Sequence, residues 1–320
     1  MTINKITLDV TAIEPKLKHP TIFQYFDKLS DGEGFIIHND HDPKPLYYQL
    51  LAERGQIFKW TYLENGPTIW LVEITKKLDK PNSETLASLS AADFRKAEVF
   101  KKFGLNFSCH GKQSLEDACN DNNINIDLLK NELDVAASKK SDSPDYNSWS
   151  LPLLIQFIKH SHHVYVKTNL PELINICQFL NSTFKNETLS DINRLCQLLN
   201  HELLAHINKE EIILFPYILQ LQKQVDNNDA PAQKFFDSID TPINIMMIEH
   251  ESSDEIIAEM SKLIPNIPPD IKNNLQFHIF LDMFKKFKDD LMTHIHLENN
   301  ILFPKAIELE KRVNETITTK

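Results

Sequence analysis

The stretch His206-Ile207-Asn208-Lys209-Glu210-Glu211-Ile212-Ile213-Leu214-Phe215-Pro216 returns later in the chain as His294-Ile295-His296-Leu297-Glu298-Asn299-Asn300-Ile301-Leu302-Phe303-Pro304. Both copies read H-I-x-x-E-x-x-I-L-F-P. In each, His and Glu stand four apart, so on a helix their side chains share one face. That face is the apolar one. It runs Leu195, Leu199, Leu203, His206, Glu210, Ile213 in the first copy and Phe287, Leu291, His294, Glu298, Ile301 in the second. A buried carboxylate without a partner costs on the order of several kcal/mol. Two of them aimed at one core call for a cation, which favours the ionised form. A single His on an apolar helix face is usually a satisfied core residue, and a single H-x-x-x-E pair is often a surface ion pair. The duplication on two inward faces is what points to a metal.

Working outward, the chain from Leu151 onward has a helical period. Four long segments emerge, roughly 150–184, 188–223, 242–263 and 272–313, separated by Asp226-Asn227-Asn228 with Pro231 and by Pro265 to Pro269. Pro171 predicts a kink or joint in the first. Four long helices with short connections imply an up-down bundle. The other two helices must complete the site. The third offers His250, in line with Ile243, Met246, Ile257 and Met260; the first offers His160, His162 and His163, among which periodicity does not choose. Imidazole and carboxylate donors without thiolate suit iron or manganese, and zinc accepts them too. Glu202, one turn before His206, and Glu249, beside His250, are candidates for acceptors behind the ligands.

Upstream, residues 1–78 alternate strand and helix signals: a strand at Ile6–Val10, a helix at His19–Leu29, a strand at Gly34–His38, a helix opened by Asp42-Pro43, and a hairpin of 57–62 and 68–74 around Glu64-Asn65-Gly66-Pro67. This predicts a small α+β two-layer domain. Residues 79–83 and 136–147 read as polar linkers. Between them lies a small all-α domain, 84–135, with helices near 91–103, 114–120 and 126–133. The bundle occupies 148–320.

The 320 residues carry a net charge of -11, which argues against nucleic-acid and anionic-membrane partners. No apolar run approaches the ~20 residues of a membrane span. The start of the chain lacks a signal peptide's apolar stretch, so a cytoplasmic setting is expected. Cys109, Cys119, Cys177 and Cys196 form no C-x-x-C pair, and a disulfide framework is not expected.

His163-Val164-Tyr165, His206 to Pro216, Glu249-His250 and His294 to Pro304 resemble the repair of iron centres family of YtfE/ScdA type, hemerythrin-like di-iron proteins of nitrosative and oxidative stress. The resemblance implies two non-haem iron ions. It makes His163, His206, His250 and His294 terminal ligands and Glu210 and Glu298 carboxylate bridges. It also implies a role in restoring damaged iron-sulfur clusters, as an iron donor. The alternatives are a nitric oxide- or dioxygen-reactive enzyme and a gas or redox sensor. Implied partners are damaged iron-sulfur proteins or the small ligands themselves; a homodimer is left open, and no catalytic residue is assigned. Phe94 to Phe100 and Phe107-Ser108-Cys109-His110-Gly111-Lys112 resemble that family's short N-terminal domain, whose motif is Cys-Cys-Gly-Gly-Lys. Ser108 and His110 replace the first Cys and first Gly, so adjacent thiols are absent and only Cys109 is left to react. Residues 1–78, through Asn39 to Tyr47, resemble a small uncharacterised family with a fold like the sulfur carrier TusA. They contain no cysteine for such a role. Asp40, His41 and Asp42 there are read as shaping the turn before the helix, with metal binding as the rival.

Overall fold

A computed structural model describes residues 6–54, 57–76, 84–139, 144–227, 236 and 238–318. The chain divides into two compact units, 1–83 and 84–320.

The first unit is a sheet of β1 (Thr7–Asp9), β2 (Gly34–Asn39), β3 (Phe58–Asn65) and β4 (Trp70–Lys76), in the order β1-β2-β4-β3, with helices α1 (Pro15–Asp27) and α2 (Lys44–Arg54). β1 and β2 are parallel, and the other pairings are antiparallel. Phe26 of α1 and Tyr47 of α2 both meet the ring of Phe58, so the two helices cover one face. The alternation of β2, with Phe35, Ile37 and Asn39 buried, fits a strand with one covered face. Asp42 does cap the turn before α2: its Oδ1 accepts from Lys44 N at 3.1 Å and from the Tyr62 hydroxyl at 2.8 Å. Gly66 holds φ +65° in the hairpin, and a Cβ there would lie 2.6 Å from the Trp70 ring.

The second unit begins with α3 (Leu86–Ala92), α4 (Phe94–Lys102), α5 (Leu115–Asp121) and α6 (Ile126–Ser138). The expected helix over 91–103 is broken at Asp93. That residue leaves helical dihedrals and its carboxylate accepts from Arg95 N, ending α3 and starting α4. Helix α6 runs three residues into the expected second linker, of which 140–143 lie outside the described residues, as does the first linker.

The remainder is four antiparallel rods, as the fold class required. The first joins α7 (Leu151–Phe157) to α8 (Val164–Phe184), and the second joins α9 (Glu187–Lys209) to α10 (Phe215–Asn227). The third is α11 (Asp240–Leu263); the fourth joins α13 (Leu275–Leu297) to α14 (Phe303–Thr318), after a short α12 (Pro269–Lys272). Among the expected breakers, Asn228 and Pro231 lie outside the described residues. Pro171 makes no joint: α8 runs through it, and its exposed position lets water serve the carbonyl that proline cannot. The interruptions are instead three π-helical turns, Ile158–His163, Glu210–Leu214 and Glu298–Leu302. Two apolar cores lie on either side of this level. One is built around Leu170, Leu199, Met260 and Phe280, the other around Ile155, Ile218, Ile243 and Ala306. Helices α3 to α6 form their own cluster and dock on the bundle. Asn300 donates to Phe107 O at 2.8 Å, Asn106 to Asp254 at 2.7 Å and Lys101 to Thr293 at 3.0 Å. Among the described residues no helix is long and apolar enough to cross a membrane.

Candidate metal centre

Between the two cores, His163, His206, Glu210, His250, His294 and Glu298 converge, each at most 2% exposed. They form two overlapping quartets: His163, Glu210, His294, Glu298, and His206, Glu210, His250, Glu298. The potential ligand atoms of each quartet lie within 4.8 Å of one another. Both carboxylates belong to both groups. Of the three histidines on the first rod, His163, the one the resemblance implied, enters the cluster; His160 is exposed and bonded to Gln156 O, and His162 lies behind His294.

The π turns position these side chains. A π turn places one extra residue in the helix. Each copy of the repeat opens its π turn at the Glu itself, so every later residue of the rod shifts by one position. Ile213, expected to face inward, is 48% exposed, and Leu214 beside it is buried. Ile301, which holds the position of Ile213 in the second copy and follows the same kind of turn, is buried as expected, so the turn alone does not expose Ile213.

Glu210 Oε2 lies 3.3 Å from His163 Nε2 and its Oε1 lies 3.4 Å from His206 Nε2, without hydrogen-bond alignment. Glu298 Oε1 is 3.0 Å from His294 Nε2, and its Oε2 is 3.1 Å from His250 Nε2. His206 and His250 turn their Nε2 atoms toward each other at 2.9 Å. His163 Nε2, both oxygens of Glu210 and Glu298 Oε2 are buried with no hydrogen-bond partner among the described residues. Buried polar atoms are ordinarily satisfied. Four orphans aimed at one point, on groups of matched charge and donor type, fit cations.

A bond on the far side of three of the four rings selects their neutral tautomer. His163 Nδ1–H donates to Glu211 Oε1 at 2.8 Å, His206 Nδ1–H to Glu249 Oε2 at 2.9 Å, and His250 Nδ1–H to Asn299 Oδ1 at 2.9 Å. Each bond leaves an Nε2 lone pair facing the site. Lys167 and Lys209 hold Glu211 and Glu249 in turn. Glu249, one of the two sequence candidates, is thus an acceptor behind His206. Glu202 accepts instead from Ser252. Glu211 and Asn299 escaped the sequence reading, although a signal existed: they occupy the same repeat position, directly after each Glu.

Without a metal the cluster holds protons. Burial pulls His163 and His206 down, but the neighbouring carboxylates, Glu210 foremost, outweigh it and raise them to about 9 and about 10. Burial pushes Glu298 up, yet the imidazole of His294, with those of His163 and His250 close by, holds it well below the usual range. Burial keeps His294 low.

Cys109 is buried, and burial with Asp254 and Glu251 nearby pushes its thiol well up, which disfavours the reactive thiolate. All four cysteines are free. Gly111 has a packing reason, since a Cβ would lie 2.6 Å from Phe107 O and 3.0 Å from Asn300 Oδ1. Around Asp40 and His41, which pair at 2.6 Å on the surface, no third donor makes a metal group among the described residues.

Three family models match the chain: an uncharacterized conserved protein over residues 7–76, an ScdA N-terminal-type domain of unknown function over 82–137, and the hemerythrin HHE cation binding domain over 155–306. The chain is also similar to proteins named iron-sulfur cluster repair protein YtfE. It is 31% identical to that of Pectobacterium atrosepticum over 71% of this chain and 98% of the relative. It is 30% identical to that of Yersinia pestis, with the same coverage.

Proposed function

This chain belongs to the YtfE family of iron-sulfur cluster repair proteins, and from that premise we propose that it holds two iron ions and yields iron to damaged iron-sulfur clusters. The observation that carries this reading is the pair of buried quartets sharing Glu210 and Glu298. His163 and His294 would hold one ion, His206 and His250 the other, and the two carboxylates would span both. Bound iron supplies redox chemistry and Lewis acidity. The chain's own residues do the rest. The carboxylates offset the ions' charge, Glu211, Glu249 and Asn299 hold three imidazoles in the ligating tautomer, and the two apolar cores exclude bulk water. Each quartet would offer an ion four protein donors, and iron held there would supply affinity for small ligands such as nitric oxide or dioxygen. The division into 1–78, 84–135 and 148–320 and a cytoplasmic setting belong to this proposal; the first segment is left without a role.

Anaerobic loading with ferrous iron, metal analysis and Mössbauer spectroscopy should find two coupled iron sites per chain. Mixing the loaded protein with a cluster-damaged iron-sulfur protein should move iron into the client. Retention of all iron while the client stays unrepaired would overturn the donor role, and failure to load iron would overturn the site.

A further inference from the structure

The repeat gives the bundle an approximate internal symmetry in which the first rod corresponds to the third and the second to the fourth. The outer anchors follow it. Glu211 and Asn299, each following a repeat Glu, hold His163 and His250 on the rods outside the repeat. Glu249, which precedes His250, holds His206. The symmetric counterpart of Glu249 is the residue preceding His163, and that residue is His162. It does lie against His294, but as a ring on a ring: the planes are 6° apart and the centroids 5.6 Å apart. Its Nδ1–H is committed to Asp290 Oδ1 at 2.9 Å. His294 Nδ1 is buried and has no hydrogen-bond partner among the described residues. A stacked face sets a ring's plane but leaves it free to slide, whereas a hydrogen bond to Nδ1 fixes where Nε2 points.

We infer that the two metal positions are unequal, and that the ion between His163 and His294 is the exchangeable one because, among the described residues, His294 is the one ring of the four with no acceptor behind it. This rests on the two-ion reading above. An outer acceptor is worth about 10–100-fold in metal affinity, and the two ions should differ in release by about that factor.

The test loads the full chain with ferrous iron and follows release to a colour-forming ferrous chelator. One equivalent should leave fast and one slowly. His294→Gln should abolish the fast phase and keep the slow one, and His250→Gln should do the opposite. His162→Gln, which offers His294 the amide oxygen that Asn299 offers His250, should slow the fast phase at least about tenfold while leaving the slow phase alone. His162→Phe, which keeps only the ring contact, should release like the parent. A role in folding alone would move both phases together. A single phase for both ions, swapped phases in the two ligand variants, or an unaltered fast phase in His162→Gln overturns the inference. A parent that never binds two ions per chain overturns the two-ion reading instead.

Discussion

Glu210→Gln separates the charge of the carboxylate from its shape. Without metal, Glu210 lies 3.3 Å from His163 Nε2 and 3.4 Å from His206 Nε2. It is a main reason those imidazoles rise to about 9 and about 10. Stabilisation from a raised imidazole is complete below its unfolded value near 6.5 and fades as pH climbs through the folded value. At pH 7 it is present, and a tenfold change in proton affinity corresponds to about 1.4 kcal/mol. Glutamine removes much of it. The imidazoles respond by shedding protons, which holds the loss to roughly 2–4 kcal/mol rather than the cost of a stranded charge. With metal, the variant loses a donor common to both ions. Loss of an outer partner alone costs up to about 100-fold in affinity, and a bridging anion should cost more. A 100-fold loss forfeits about 2.7 kcal/mol of ligand-linked stability. The assay pairs iron content after desalting with thermal melts followed by circular dichroism, loaded and unloaded. The variant should stay helical, retain little iron, and gain almost nothing from ferrous iron, while the parent gains clearly. Full iron content with a parent-like iron-dependent rise in Tm would refute the reasoning.

Three further outcomes are expected. Because ligation needs neutral imidazoles, loading iron at pH 7–8 should release about two protons per chain from His163 and His206, and affinity should climb toward pH 9; a weakly buffered indicator titration showing no release would mean the rings were already neutral. Glu310 takes hydrogen bonds from Ile239 N and the Tyr217 hydroxyl, so Glu310→Leu should cost about 2–4 kcal/mol in urea unfolding by stranding those donors, and a loss below about 0.5 kcal/mol would deny them that importance. Gly111→Ala should cost about 1–3 kcal/mol through overpacking against Phe107 and Asn300 and open 84–138 to limited proteolysis; parent-like protection would show that the docked loop gives way freely.

Five of the six converging side chains were legible because the repeat supplies His206, Glu210, His294 and Glu298 and because His250 falls on an apolar stripe; the sixth, His163, rested on the family resemblance. The first rod was harder. Three histidines stand within four residues, and the π turn across 158–163 lets His162 and His163 both face inward. Ile213 was misplaced while Ile301, at the same repeat position and after the same kind of turn, was not: the two residues are of one type, and residue type does not say which of the two sites neighbouring segments cover. Asp93 broke a helix that apolar spacing alone would have continued, since a capping carboxylate competes with the helical backbone. Glu211 and Asn299 were missed because an acceptor behind a ligand acts across rods, where sequence distance carries no information.

The π turns make the first, second and fourth rods splices of two differently phased halves, joined at the level of the six converging side chains. An α-helix advances about 100° per residue, so an extra residue re-aims everything beyond it. Removing one from 212–214, even the 71% exposed Ile212, would erase none of the six converging side chains. It would swing Phe215, Ile218 and Leu221 off their core by roughly that angle. In this architecture the spacing between the ligands and the end of each rod is itself specified, and a change in loop length is tolerable where a change in rod length is not.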